Sequence, residues 1–329
     1  MQVMRFRNLT FGEARCRQYT IAGAICSLST NSQAIHDVIG ESYGQVDELV
    51  STPDLTMQFW VDGAPRNVEA WPKPYFRGLN HLVFARFDSE SEVLIDLGQR
   101  RIIGRLSPEI AANRAYFTRV VFPAIFGIVS ETVRIAPLHC ACVARNGSAV
   151  LLAGDSGSGK STLSLALAQS GLAFLSDDWT YLSRQGTRVL AWSISNFLKL
   201  LPDTLEHFPE LARIDPTISL NGELAYELEA EHVFGIQRCA CAEPRCLIFL
   251  ERGGTQKPSL VEMSSVEAAA RLEQNLEDLP AAICEARDFL VKTIRILVQV
   301  PCWKLRFGGD APQTVARSVL EFLNGKMNA

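Results

Sequence analysis

The chain reads as a β-rich α+β segment over residues 1–135 followed by an α/β segment with a mixed sheet over 136–329. Three observations predict this. Leu55, Met57, Phe59 and Val61 alternate with Thr56, Gln58 and Trp60, the period of a half-buried strand, and similar short runs follow to about Arg105. An apolar run at 149–153, a glycine-rich loop and a helical pattern stopped by Gly171 follow one another without a break. Asn146-Gly147 stands between two apolar runs, a strong signal for a two-residue type I′ hairpin. The hairpin makes the strand beside 149–153 antiparallel to it, whereas doubly wound folds put parallel neighbours there.

Composition narrows the classes. The chain has 329 residues, 47% of them hydrophobic, enough for a large buried core. Lys and Arg number 32 against 36 Asp and Glu, a formal net charge of -4, which argues against a dedicated nucleic-acid surface. The opening MQVMRFRNLTFGEARC carries charges where a signal peptide needs an apolar core. The longest apolar stretch, 120–129, is too short to span a bilayer and contains Pro123. A cytoplasmic protein without a membrane span is expected. The nine cysteines, at 16, 26, 140, 142, 239, 241, 246, 284 and 302, are odd in number, so reduced thiols are expected. Cys239, Cys241 and Cys246 could suggest zinc, but a fourth ligand and paired C-x-x-C spacing are not evident; buried small side chains are the plainer reading.

In the first part, strands are expected at 81–87, 93–96 and 101–106, joined by the polar turns 88–91 and 98–99. Such a meander buries one face and wets the other; the wet face either docks a partner or is an inert accessory surface. Ser107 as N-cap and Pro108 at the first helical position open a helix to about residue 133, kinked or restarted at Pro123. It is apolar over much of its circumference, so burial between the two parts is expected, with the boundary near Ile135-Ala136-Pro137.

The second part carries the chemistry. Gly154 to Ser161 reads GDSGSGKS, a match to the phosphate-loop (Walker A) pattern G-x-x-x-x-G-K-S/T. Glycines let successive N–H groups point at one phosphate, and the following helix adds its positive end. The loop residues Gly154, Asp155, Ser156, Gly157, Ser158, Gly159, Lys160, Ser161 and Thr162 are therefore candidate ATP contacts. Lys160 would reach the β- and γ-phosphates, and Ser161 would place its hydroxyl on Mg²⁺. If the hairpin loop is two residues long, Arg145 pairs with Ser148, and the same register sets His139 opposite Gly154. A short strand at 172–175 leads into Ser176-Asp177-Asp178-Trp179. Ligand groups gather at the carboxyl ends of strands in open α/β sheets. One aspartate can serve a metal and the other can accept a proton, or the pair caps a turn.

Further on, 197–201 could be a strand or a short helix, and the proline-bearing 202–224 a surface loop with short helices, a candidate substrate lid. A strand is expected at 246–250, preceded by Arg245, then a helix capped by Ser264 with Glu267 three residues on. The tail reads as helix 284–297, strand 302–307 and helix 312–323.

The combination of His139, the hairpin, GDSGSGKS and Asp177-Asp178 resembles the C-terminal domain of the HPr serine kinase/phosphorylase family, over about residues 138–181. The resemblance implies a P-loop nucleotide-binding fold with a mixed sheet, using ATP and Mg²⁺ to phosphorylate a serine hydroxyl of a peptide or protein. It implies Asp178 as proton acceptor, Asp177 as its neighbour near the metal, Lys160 on phosphate and Ser161 on Mg²⁺. His139 corresponds to an assisting histidine, against the plainer reading of a satisfied strand-end imidazole, and Arg245 to an arginine near the active site. A homo-oligomer is implied as well. The family's glycine-rich segment after the Asp-Asp strand has no clear equivalent between Val189 and Leu205, and residues 1–135 do not match its N-terminal domain. The chain looks more like the divergent HPr-kinase-related proteins of peptide-maturation and cell-surface gene clusters, lasso-peptide tailoring kinases among them. Neither HPr as substrate nor the phosphorylase direction is expected. A transport ATPase would need an LSGGQ-type signature and a downstream strand ending in Asp-Glu, and neither is found. A nucleotide-sensing regulatory or scaffold protein with ATPase activity only is the alternative.

Overall fold

The structure, a computed structural model, describes residues 13–327 apart from 69, 220–221, 255–256, 275 and 277–283. It is mixed α/β with several mixed sheets, and it divides into two compact units, Met1–Phe117 and Thr118–Ala329. The division falls earlier than the boundary read from the sequence. The apolar helical run after Phe117 packs within the second unit, where the Phe126 ring lies 6.0 Å from that of Tyr181.

The first unit is built on a seven-stranded sheet of β1 (Arg15–Ile21), β2 (Ala24–Thr30), β3 (Leu55–Val61), β4 (Tyr75–Leu79), β5 (Leu82–Arg86), β6 (Glu92–Asp96) and β7 (Arg101–Leu106), in the order β1-β2-β3-β7-β6-β5-β4. The expected meander is β5 to β7; β4, which extends it, and the parallel pairs β2–β3 and β3–β7 lie outside that reading. Leu55, Met57 and Phe59 are buried, as their alternation requires, while Trp60 and Phe84 stay about half exposed. The helix Gln33–Tyr43 buries Ile35, Val38 and Ile39.

Ser107 caps the helix Pro108–Ala112 as expected, its Oγ accepting from Ile110 N at 3.4 Å. The helix does not continue unbroken. Arg114–Tyr116, a π turn at Phe117–Val121, the helix Phe122–Ser130 and a 3₁₀ turn at Glu131–Val133 follow in succession. Pro123 sits in the first turn of Phe122–Ser130, where its missing N–H costs least, and the π turn absorbs the break before it. The run Arg114–Val133 is long and apolar enough to cross a membrane, but 67% of its most apolar window is buried within the protein.

The second unit is a nine-stranded mixed sheet: β8 (Ile135–Leu138), β9 (Ala141–Arg145), β10 (Ser148–Ala153), β11 (Ala173–Ser176), β12 (Thr180–Gln185), β13 (Arg188–Trp192), β17 (Cys241–Arg252), β18 (Ser259–Met263) and β19 (Cys302–Phe307). A separate three-stranded sheet holds β14 (Phe197–Leu200), β15 (Thr217–Ile218) and β16 (Leu224–Glu229). The main order is β11-β9-β10-β17-β13-β12-β8, with β19 paired to β17 and β18. Both faces are covered, which is why 149–153 is apolar throughout. Val150 and Leu152 pack with Leu163, Leu167 and Val315 from the helices Lys160–Gln169 and Pro312–Met327. Ala149, Leu151 and Ala153 pack into a second core with Leu272 and Leu290, from the helices Ser265–Gln274 and Cys284–Leu297.

Candidate functional site

The hairpin sets the geometry. Asn146 and Gly147 both have positive φ, 52° and 76°, the type I′ turn. β9 and β10 pair antiparallel from Ser148–Arg145 to Leu152–Ala141, the expected register. β9 also pairs antiparallel with β11 on its other side. Hence β10 and β11 run the same way and end at one edge of the sheet, and β9 begins there. The loop after β10, the aspartates after β11 and the histidine before β9 are thereby gathered at one edge.

The ladder stops at Leu152–Ala141, so the pairing of His139 with Gly154 is not part of it. Cys140 N donates to Leu138 O at 2.8 Å, turning the chain off the strand line. His139 is held instead by the strands before and after: Leu138 of β8 pairs with Thr180 of β12. The Thr180 hydroxyl donates to Cys140 O at 2.9 Å and accepts from the Ser176 hydroxyl at 2.6 Å. This clasp lays the turn 139–140 against the turn 177–179. His139 Nε2 then meets Asp178 Oδ1 at 2.7 Å. An ionised carboxylate only accepts, so Nε2 carries the hydrogen. The His139 ring also lies 5.4 Å from that of Trp179.

Gly154 has φ 149°, and a Cβ there would stand 2.8 Å from Ser158 Oγ and 3.0 Å from Leu250 O, so no side chain fits. The helix Lys160–Gln169 starts from the loop, directing its positive end at it. Lys160 is buried, and its Nζ donates to Gly154 O at 2.9 Å and Asp155 O at 3.1 Å. Burial pulls its pKa down, partly countered by Asp178, Cys140, Asp177 and Asp155.

The two aspartates differ. Asp177 is buried; its Oδ2 accepts from Lys199 N at 3.0 Å, and its Oδ1 has no hydrogen-bond partner among the described residues. Burial pushes its pKa up to about 6, the nearby Asp178 charge adds to this, and the Ser161 hydroxyl, Lys199 N–H and Lys160 charge oppose it. Ser161 thus lies close enough to act on Asp177 without completing a hydrogen bond to Oδ1. Asp178 has 66% of its side chain open to solvent. What desolvation it has raises its pKa, but the His139 hydrogen bond and the charges of His139, Lys160 and Lys199 outweigh this and hold it below its ordinary value.

The donors suit magnesium, a hard cation that takes few protein ligands and keeps waters or phosphate oxygens. Ser161 and the orphaned buried oxygen of Asp177 supply two oxygen donors, and the orphaned Ser158 Oγ inside the loop a further polar contact. Among the described residues no cluster of three or more His, Cys, Asp or Glu side chains could hold a metal alone.

Arg245 is not brought to this edge. β17 is longer than expected and pairs parallel with β10, and Arg245 occupies a bulge beside Ala149 and Val150, near the start of both strands. Its ion pair is with Glu243 at 3.4 Å. Arg252, the last residue of β17, stands at the carboxyl edge instead, and the sequence did not single it out. Lys199 was missed too, because the strand that carries it is identified only by its pairing with β16.

No family model matches the chain, and no curated protein matches it. Among solved structures it is similar to the Hpr(Ser) kinase/phosphatase from Coxiella burnetii, at 13% identity over 59% of this chain and 99% of that one, with a TM-score of 0.34. The likeness is distant, and the functional reading rests on the residues themselves.

Proposed function

We propose that the second unit is a P-loop kinase of the HPr-kinase-like kind, transferring the γ-phosphoryl group of ATP to a serine hydroxyl of a peptide or protein. The observation that carries this is the His139–Asp178 contact of 2.7 Å at the edge where the loop-bearing strand ends. A solvent-facing carboxylate, held ionised and within electrostatic reach of Lys160, is what a hydroxyl acceptor needs.

The loop N–H groups and the helix end receive the phosphates. Lys160 turns from Gly154 O and Asp155 O to the β- and γ-phosphates, where it neutralises charge. Asp178 takes the acceptor proton as the serine oxygen bonds to the γ-phosphorus and the bond to the bridging oxygen breaks, leaving ADP. His139, donating from Nε2, keeps Asp178 ionised and aimed. Ser161 and Asp177 would hold Mg²⁺, which when bound would neutralise phosphate charge. The first unit is read as an accessory part, and peptide maturation as the setting.

Transfer of label from ATP to serine-bearing candidate peptides tests the proposal. Transfer by the wild type, lost in Lys160→Ala and in Asp178→Asn, is the expected result. Unchanged transfer in Asp178→Asn overturns it, and hydrolysis without transfer to any peptide favours the nucleotide-sensing ATPase instead.

A further inference from the structure

The loop has a second flank. β10 lies between β9 and β17, and β17 pairs parallel with β19, so both β17 and β19 end at the same edge as the loop, on the side away from His139 and Asp178. A pocket opens there. Thr162, in the first turn of the loop helix, forms one wall; Arg252 and Phe307, at the ends of β17 and β19, form another; Asp203, His207 and Asp310 close it. Phe307 stands against the loop itself, its Cζ 3.8 Å from where a Cβ on Gly159 would be. The wall carrying His207 is tied to the C-terminal helix, since Gln313 Nε2 donates to His207 O at 2.9 Å.

The lining chemistry says what fits. Three carboxylates, Asp203, Glu206 and Asp310, disfavour a phosphate but accept from vicinal hydroxyls or an exocyclic amine. Arg252 and Phe307 offer a guanidinium plane and an aromatic edge to a flat ring. A ribose and a base present those groups, joined to a phosphate that must begin at the loop. Thr162 belongs to loop and pocket alike, so a ligand entering one continues into the other.

We infer that this pocket is the nucleoside subsite, taking the ribose and base while the phosphate chain lies in the loop with its γ end towards Asp178. The inference rests on the reading of the loop as a triphosphate site. The acceptor then approaches from the β9–β11 flank only, because the nucleoside fills the other.

The test is titration calorimetry on the full chain with Mg²⁺ and either inorganic tripolyphosphate or a non-hydrolysable ATP analogue. The analogue should bind at least tenfold more tightly than tripolyphosphate. Arg252→Ala, and separately Asp310→Tyr to fill the pocket, should remove most of that difference and leave tripolyphosphate binding within about twofold. Retained tripolyphosphate binding shows that each variant still folds its loop. Equal binding of the two ligands by the wild type overturns the subsite and spares the loop. Equal weakening of both ligands by Arg252→Ala makes Arg252 a phosphate contact and also overturns it. Failure of both ligands to bind removes the triphosphate reading and the subsite with it.

Discussion

The two flanks of the loop are built differently. On one, His139, Asp177 and Asp178 come from turns close to the loop in sequence, joined by a hairpin and a hydroxyl clasp. On the other, Arg252 and Phe307 arrive from distant strands through parallel pairing with β10 and with each other. In the proposed reading the near flank handles the acceptor's proton, and the far flank offers Arg252 and Phe307 to the nucleoside. Within the near flank the contrast sharpens. Adjacent residues leaving a strand face opposite ways, so Asp177 turns inward, where burial favours its proton, and Asp178 outward, where His139 keeps it charged. Two identical side chains in succession thereby acquire different chemistry.

The largest effect is expected from removing the charge both flanks share. Lys160→Ala should abolish measurable phosphoryl transfer from ATP, in a label-transfer assay, while far-UV circular dichroism stays unchanged. Next, Asp178→Asn should lower single-turnover transfer by about two to four orders of magnitude and leave nucleotide affinity within a few fold. Asp177→Asn should do the reverse, weakening Mg²⁺-dependent binding more than Asp178→Asn does. Similar behaviour of the two variants would erase the distinction drawn between them.

His139→Ala should cost about tenfold to a hundredfold in transfer. It should also move the acid limb of the pH–rate profile to higher pH. Asp178 is held below its ordinary pKa mainly against desolvation by His139, so removing the ring lets the carboxyl protonate at higher pH. An unmoved acid limb would leave His139 a merely structural residue.

The smallest effect concerns stability. Asp177 has a folded pKa near 6, above its unfolded value, so the fold binds its proton more tightly. That contribution is complete below about pH 4 and is lost as pH rises through about 6. Asp177→Asn should therefore stabilise the metal-free protein at pH 7.5, by about 3 kcal/mol at most, and by little at pH 4. Urea unfolding at the two values measures it; a variant less stable at pH 7.5 would contradict the burial of an uncompensated carboxyl.

The same contrast governs what the sequence disclosed. Asn146-Gly147 announces its turn and register locally, and the tail elements Cys284–Leu297 and Cys302–Phe307 fall where periodicity and capping put them. Long-range pairing leaves no local mark. The expected strand at 246–250 extends to Cys241–Arg252, so attention went to Arg245 at the wrong end and missed Arg252. β16 begins where a stretch that reads as proline-bearing loop ends, and without that partner Phe197–Leu200 reads equally as strand or short helix. The pairing of His139 with Gly154 failed because a regular ladder was carried past the point where Cys140 turns back on Leu138.

The Thr180 hydroxyl has a mechanical consequence. It is the pin of a short linkage: its partner Cys140 directly follows His139 in the chain, and Asp178 lies two positions before Thr180. Lever arms this short transmit displacement without amplifying it, so the alignment of the imidazole and carboxylate is only as good as the seating of that pin. A valine at 180 would keep the shape and remove the pin, and the error would appear as play between two side chains, neither of which had been touched.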